Sequence, residues 1–184
     1  MTDKLTSFLT RNHASRVVLS RLAATGAATP EETWARANAR DLIWAVTRPG
    51  VMSEEQRRKF LAEAVLAPIE HLLTDERSKN ILQKLRTNEP ITAAERAAAY
   101  RAVDAAADAY ASWAASWAAA EAASLAAADA ASWAAASWAA ASQAAAAVAK
   151  AEDADASWAS WSAAREAQAR WIKDNFALTD LNIN

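Results

Sequence analysis

The sequence predicts an all-α fold, a multi-helix bundle in which short N-terminal helices pack with long alanine- and tryptophan-rich C-terminal helices. Three observations carry that expectation. Glycine occurs only at Gly26 and Gly50 and proline only at Pro30, Pro49, Pro68 and Pro90, whereas hairpin-rich sheets need frequent turn residues. Apolar residues of the first half recur at three- and four-residue spacing between recognisable helix caps. From Thr92 to Phe176 the chain has neither glycine nor proline and is dominated by alanine, the strongest helix former.

The chain has 184 residues, a length that favours one domain over 1–184. Within it, 1–90 is a short-helix half, 91–176 an Ala/Trp-rich half and 177–184 a tail. The first expected helix runs from about Asn12 to Ala24, with Val17, Val18, Leu19 and Leu22 on its stripe and Gly26 at the left-handed cap. Thr29-Pro30-Glu31-Glu32 supplies an N-cap hydroxyl, a proline tolerated in the first turn and acids at the positive helix end. The second helix starts there and stops before Pro49-Gly50. On it Trp34, Ala37, Asp41 and Trp44 share one face, which makes Trp34 and Trp44 structural anchors in the core and puts Asp41 at its edge.

Ser53-Glu54-Glu55-Gln56 is a capping box that opens a third helix, kinked near Pro68 and ending at about Leu73. Thr74-Asp75-Glu76-Arg77 opens a short fourth helix with Ile81, Leu82 and Leu85 inside, ended by Asn88-Glu89-Pro90. Thr92-Ala93-Ala94-Glu95 is a further capping box. A single helix of about 85 residues beyond it would extend about 130 Å, so the second half should fold back on itself. Asp129 and the Glu152 to Asp155 cluster are the candidate caps, giving helices near 92–127, 130–150 and 156–176.

Alanine buries little area, so tryptophan must supply the cohesion. Tyr110, Trp113 and Trp117 form one aromatic stripe, and Trp158, Trp161, Gln168 and Trp171 form another. Trp133 and Trp138 are five residues apart, about 140° around a helix. They are therefore expected as structural anchors that grip a central helix on two sides. The uncharged run from Ala130 to Ala149 is too weakly apolar for a membrane span, and ice binding is disfavoured because no threonine occurs between Ala93 and Leu178.

Chemistry leaves few traces. The 20 basic and 22 acidic residues give a formal charge of -2, so no net field draws the chain to nucleic acid. Cysteine is absent, which removes disulfides and thiolate chemistry and suits a reducing compartment. The N-terminus does not read as a signal peptide, so a cytoplasmic setting is expected. Asp104 and Asp108 share one helix face and would suit magnesium, yet no second acidic motif of matching spacing accompanies them, and a solvated face beside Arg101 is the favoured reading. His13 and His71 make no metal motif, the serines lack a nucleophile elbow, and Arg57-Arg58-Lys59 reads as a solvated surface. The sequence thus predicts no catalytic residues, no metal and no cofactor.

"ATPEETWARANARDLIWAV" and "LLTDERSKNILQKLRTNEPITAAERAAAYRAVDAAADAY" resemble segments of an alanine-rich family common in phage and bacterial genomes, sometimes labelled immunity proteins. The resemblance covers roughly Asn12 to Phe176. It implies a non-catalytic interaction protein, an immunity or phage accessory factor that binds and blocks a protein partner. Candidate contacts are Tyr110, Trp113, Trp117, Trp158 and Trp161. Members usually carry cysteines in the first half and more arginines in the alanine tract, and this chain departs from both habits. The alternative is a small-ligand module with an indole-lined pocket between helices. A metal-dependent enzyme at Asp104 and Asp108 ranks third.

Overall fold

The computed structural model describes residues 3–12, 14, 16–105, 110–125, 130–152 and 157–181, with side chains at 6–12, 14, 16–102, 111–123, 139–151 and 159–181. Among them it is all helix. The order is α1 (Asp3–Arg11), α2 (Arg16–Ala24), α3 (Pro30–Arg36), α4 (Ala39–Val46), α5 (Glu54–Lys59), α6 (Glu76–Arg86), α7 (Ala93–Ala105), α8 (Tyr110–Leu125), α9 (Ala130–Glu152) and α10 (Ser157–Asn175). Buried residues from both halves meet in one core, from Phe8 and Leu22 through Phe60, Val65 and Leu82 to Ala118, Ala144 and Ile172.

The caps read from sequence are in place. The Thr29 hydroxyl accepts from the Glu32 amide at 3.1 Å, Ser53 and Gln56 cap each other reciprocally, and Thr92 and Glu95 do the same. Asp75 caps α6 by accepting from the Ser78 amide. Gly26 sits at φ 63°, the left-handed conformation that ends α2.

Three expectations need correction. The second helix is two: Ala37 is extended at ψ 138° and Asn38 caps α4 by accepting from the Asp41 amide at 2.9 Å. An asparagine in mid-pattern has captured the backbone. The third helix does reach Leu72, but as α5, then a π-helical stretch Phe60–Leu66, then a 3-10 stretch Ala67–Leu72. Pro68 has no N–H for the ladder, and the altered winding re-satisfies the carbonyls around it. The span 92–127 is not one helix either. The Tyr100 and Trp117 rings lie 6.4 Å apart, although 17 residues of continuous helix would separate them by about 25 Å. The chain therefore reverses between α7 and α8.

In the second half α9 packs against both α8 and α10, which fits the central position expected of it. Ala114, Ala115, Ala118 and Ala122 on α8, and Ala140, Ala141, Ala144 and Ala147 on α9, are all buried, and α10 reaches α9 through Arg165 and Gln168. Beyond α10 the chain is more than a tail, because Leu178–Asp180 forms a 3-10 turn and Leu181 is buried in the core. Among the described residues no helix is long and apolar enough to cross a membrane.

Candidate functional site

The break between α3 and α4 borders a cavity in the N-terminal half. Its volume is about 330 Å³. Phe8 and Leu9 of α1, Val18 and Leu22 of α2, Trp34 of α3, Leu42 and Trp44 of α4, and Leu178 and Leu181 of the C-terminal segment supply apolar wall. Both indoles pack against the core and remain only half-buried. Their remaining surface lines the cavity.

Phe8, Trp44 and the backbone of α3 are held by further contacts. Phe8 meets Trp44 edge-on with ring centres 6.3 Å apart. The Arg48 guanidinium lies 5.0 Å from the Trp44 ring centre and its Nε donates to the Trp44 carbonyl at 3.0 Å. Burial lowers the Arg48 pKa from its ordinary value. The Lys173 ammonium, reaching from α10, donates to the Ala35 carbonyl at 2.9 Å and so ties α3 to the bundle.

The polar wall groups are Glu31, Thr33, Asp41 and Thr179. Asp41 is the second correction to the sequence reading of that face: it is only 4% exposed rather than at the edge. Arg21 grips it through two hydrogen bonds, Nε to Oδ2 at 3.0 Å and Nη2 to Oδ1, and Asn38 Nδ2 donates to Oδ2 at 3.0 Å. The pairing, followed by the opposing effect of burial, raises the Arg21 pKa. Thr33 donates to the Thr29 carbonyl at 2.9 Å. Glu31 is exposed at the rim.

The aromatic residues expected as contacts fall elsewhere. Trp113 and Trp117 are half-buried on α8 with ring centres 5.7 Å apart. Tyr100 joins them, and its hydroxyl lies 3.5 Å from Glu121. Burial pushes the Glu121 carboxyl above its ordinary value, and the Tyr100 contact opposes that. Trp161 stacks on Arg165 at 5.0 Å, and Arg165 donates to Ser142 Oγ at 2.6 Å. Burial, with Arg40 adding to it, lowers the Arg165 pKa to about 10. The side chains of Tyr110, Trp133, Trp138 and Trp158 lie outside the described residues, as do those of Asp104, Asp108, Asp129 and His13.

A second cavity of about 340 Å³ lies where the π-helical stretch meets α9 and α10, walled by Val65, Ile69, Ala144, Val148, Ala164 and Gln168. Gln168 Nε2 donates to the Ala141 carbonyl. The expected solvated basic triplet also needs correction, since Arg58 is 7% exposed and its Nη1 donates to the Glu89 carbonyl at 2.9 Å. The serines do not bond back along their helices where described. Ser112 pairs with Thr74, Ser142 accepts from Arg165, and the buried Ser116 hydroxyl has no partner. His71 is exposed. Among the described residues no three His, Cys, Asp or Glu side chains group as metal ligands.

Fold and site together define an all-α protein with an aromatic-walled apolar cavity. No family model, curated protein or solved structure matches the chain.

Proposed function

We propose that this chain is a non-catalytic binding protein that holds a small apolar or aromatic molecule in the cavity between Trp34 and Trp44. The observation that carries this reading is the cavity itself: about 330 Å³ of space walled by Phe8, Trp34, Trp44 and aliphatic side chains. Small-molecule sites are concave, largely apolar and of this size, with few polar groups for orientation. Mass spectrometry of the denatured protein, joined to a melting-temperature screen of apolar compounds, tests it. A bound or stabilising compound whose effect is lost in Trp34→Ala is expected; no compound and no shift would defeat the reading.

A second reading is favoured by exposed apolar surface on α2, where Val17 is 60% and Leu19 is 38% exposed. Here the chain is a cytoplasmic immunity or phage accessory factor that binds and blocks a protein partner, as the family resemblance implies. Exposed apolar side chains beside a cavity suit such a contact. Affinity capture from a host lysate with the wild type and Val17→Glu separates the two readings. A partner retained by the first and lost by the second supports it.

A further inference from the structure

The cavity between Trp34 and Trp44 has a charge character that narrows its occupant. We infer that it takes an amphiphilic amine, with an apolar or aromatic body against the indoles and a protonated amine at Glu31. This rests on the cavity being the binding site. Among the described residues, the charged side chains on the wall are two carboxylates, Glu31 and Asp41. They differ in availability.

Asp41 is buried and committed to Arg21 and Asn38, so its charge is already compensated. Glu31 stands exposed at the rim, and among the described residues its carboxylate has neither an ion pair nor a hydrogen bond. The nearby cations are directed elsewhere: Arg21 at Asp41, Arg48 at the Trp44 carbonyl and Lys173 at the Ala35 carbonyl. None of them lines the cavity. An anionic group on an occupant would meet carboxylate with no cation among the described lining residues, and moving it from water to that wall is unfavourable. Carboxylates, phosphates and nucleotides are disfavoured for that reason. An ammonium gains Glu31 directly.

The occupant is unidentified, so the test uses three probes with one body and different charge: 1-naphthylmethylamine, 1-naphthalenemethanol and 1-naphthoate. Isothermal titration of the full chain at pH 7 and low salt should order them amine, alcohol, carboxylate from tightest to weakest. The amine should bind about two- to fivefold more tightly than the alcohol, the worth of an exposed ion pair. In Glu31→Gln, which alters an exposed side chain and should melt only slightly below the wild type as the helix start loses a favourable charge, that advantage should vanish while the alcohol keeps its affinity. Trp34→Ala should weaken all three.

Equal binding of the three probes, or an amine advantage that survives Glu31→Gln, overturns the amine inference and leaves the cavity reading standing. Binding by none of them, or binding indifferent to Trp34→Ala, removes both.

Discussion

Arg21 on α2 holds Asp41 on α4 in a two-bonded grip across the cavity wall, with Nε to Oδ2 at 3.0 Å and Nη2 to Oδ1 completing the pair. The carboxylate is buried and the guanidinium a third exposed. Charge-assisted bonds of this geometry are stronger than neutral ones, and an abandoned buried partner is costly. The pair also fixes the distance between two helices that would otherwise meet only through side chains such as Leu22.

Asp41→Ala should therefore cost about 2–3 kcal/mol in urea denaturation, because Asn38 and Arg21 both lose their acceptor. Arg21→Met should cost more than Asp41→Leu, since Arg21→Met leaves a buried carboxylate with only the Asn38 amide donating to it, whereas Asp41→Leu releases a guanidinium that already reaches solvent. A double variant, Arg21→Met with Asp41→Leu, should be more stable than the sum of its parts. Strict additivity would show that the grip contributes nothing.

Trp171 offers a contrast to the cavity indoles. It packs against Phe60 and Phe176 with ring centres 6.0 and 5.4 Å away, and its Nε1 donates to Glu63. Trp171→Ala should destabilise by about 3 kcal/mol or more through lost area and a residual hole. Trp34→Ala, which removes core contacts but at a side chain that also borders existing open space, should destabilise less and act mainly on ligand binding. Equal melting losses for the two variants would argue against a binding role for Trp34.

What could be read from sequence followed local chemistry. Thr29, Ser53, Asp75 and Thr92 cap helices through their own nearest neighbours, so spacing alone revealed them. The break at Asn38 is hidden because the pattern of Trp34, Ala37, Asp41 and Trp44 continues through it. The competing cap from Asn38 to the Asp41 amide was the available signal. The cavity was less legible still: it needs Leu178 and Leu181 to return beside Phe8 and Trp44, a closure across most of the chain. Likewise Arg21 and Asp41 carry no spacing that announces their pairing. The reversal after α7 was hidden because alanine is equally content in helix on either side of a turn.

Two glutamates should respond to acid with opposite signs. The Lys84 and Thr92 contacts hold Glu95 down at about 2, below its ordinary 4.5. Its stabilising contribution is therefore full above about 4.5 and lost as pH falls toward 2. Glu95→Gln should lower stability at pH 7, and its difference from wild type should close across that window. Glu121 is shifted upward by burial, so its ionised form opposes folding at pH 7 and protonation relieves the cost. Glu121→Gln should melt higher than wild type at pH 7, with the gain shrinking on acidification. Denaturation curves at a series of pH values check both, and a pH-independent difference in either variant would contradict its assignment.

The alanine half makes the last prediction. Ala118 on α8 and Ala141 and Ala144 on α9 are buried at 0%, 0% and 2% exposure, and α9 is packed on both flanks. Small side chains here let the backbones approach closely, so cohesion comes from contact density and from the tryptophans. Neither Ala118 nor Ala141 lines either of the two cavities. Ala118→Leu and Ala141→Leu should each lose about 1–3 kcal/mol by overpacking, despite adding apolar surface. Trp133→Ala and Trp138→Ala should also lower the melting temperature sharply if these indoles anchor the central helix. Leucine variants that melt higher than wild type would show that the seam is loosely packed, and indole variants that melt unchanged would make that face of α9 a contact surface instead of an anchor.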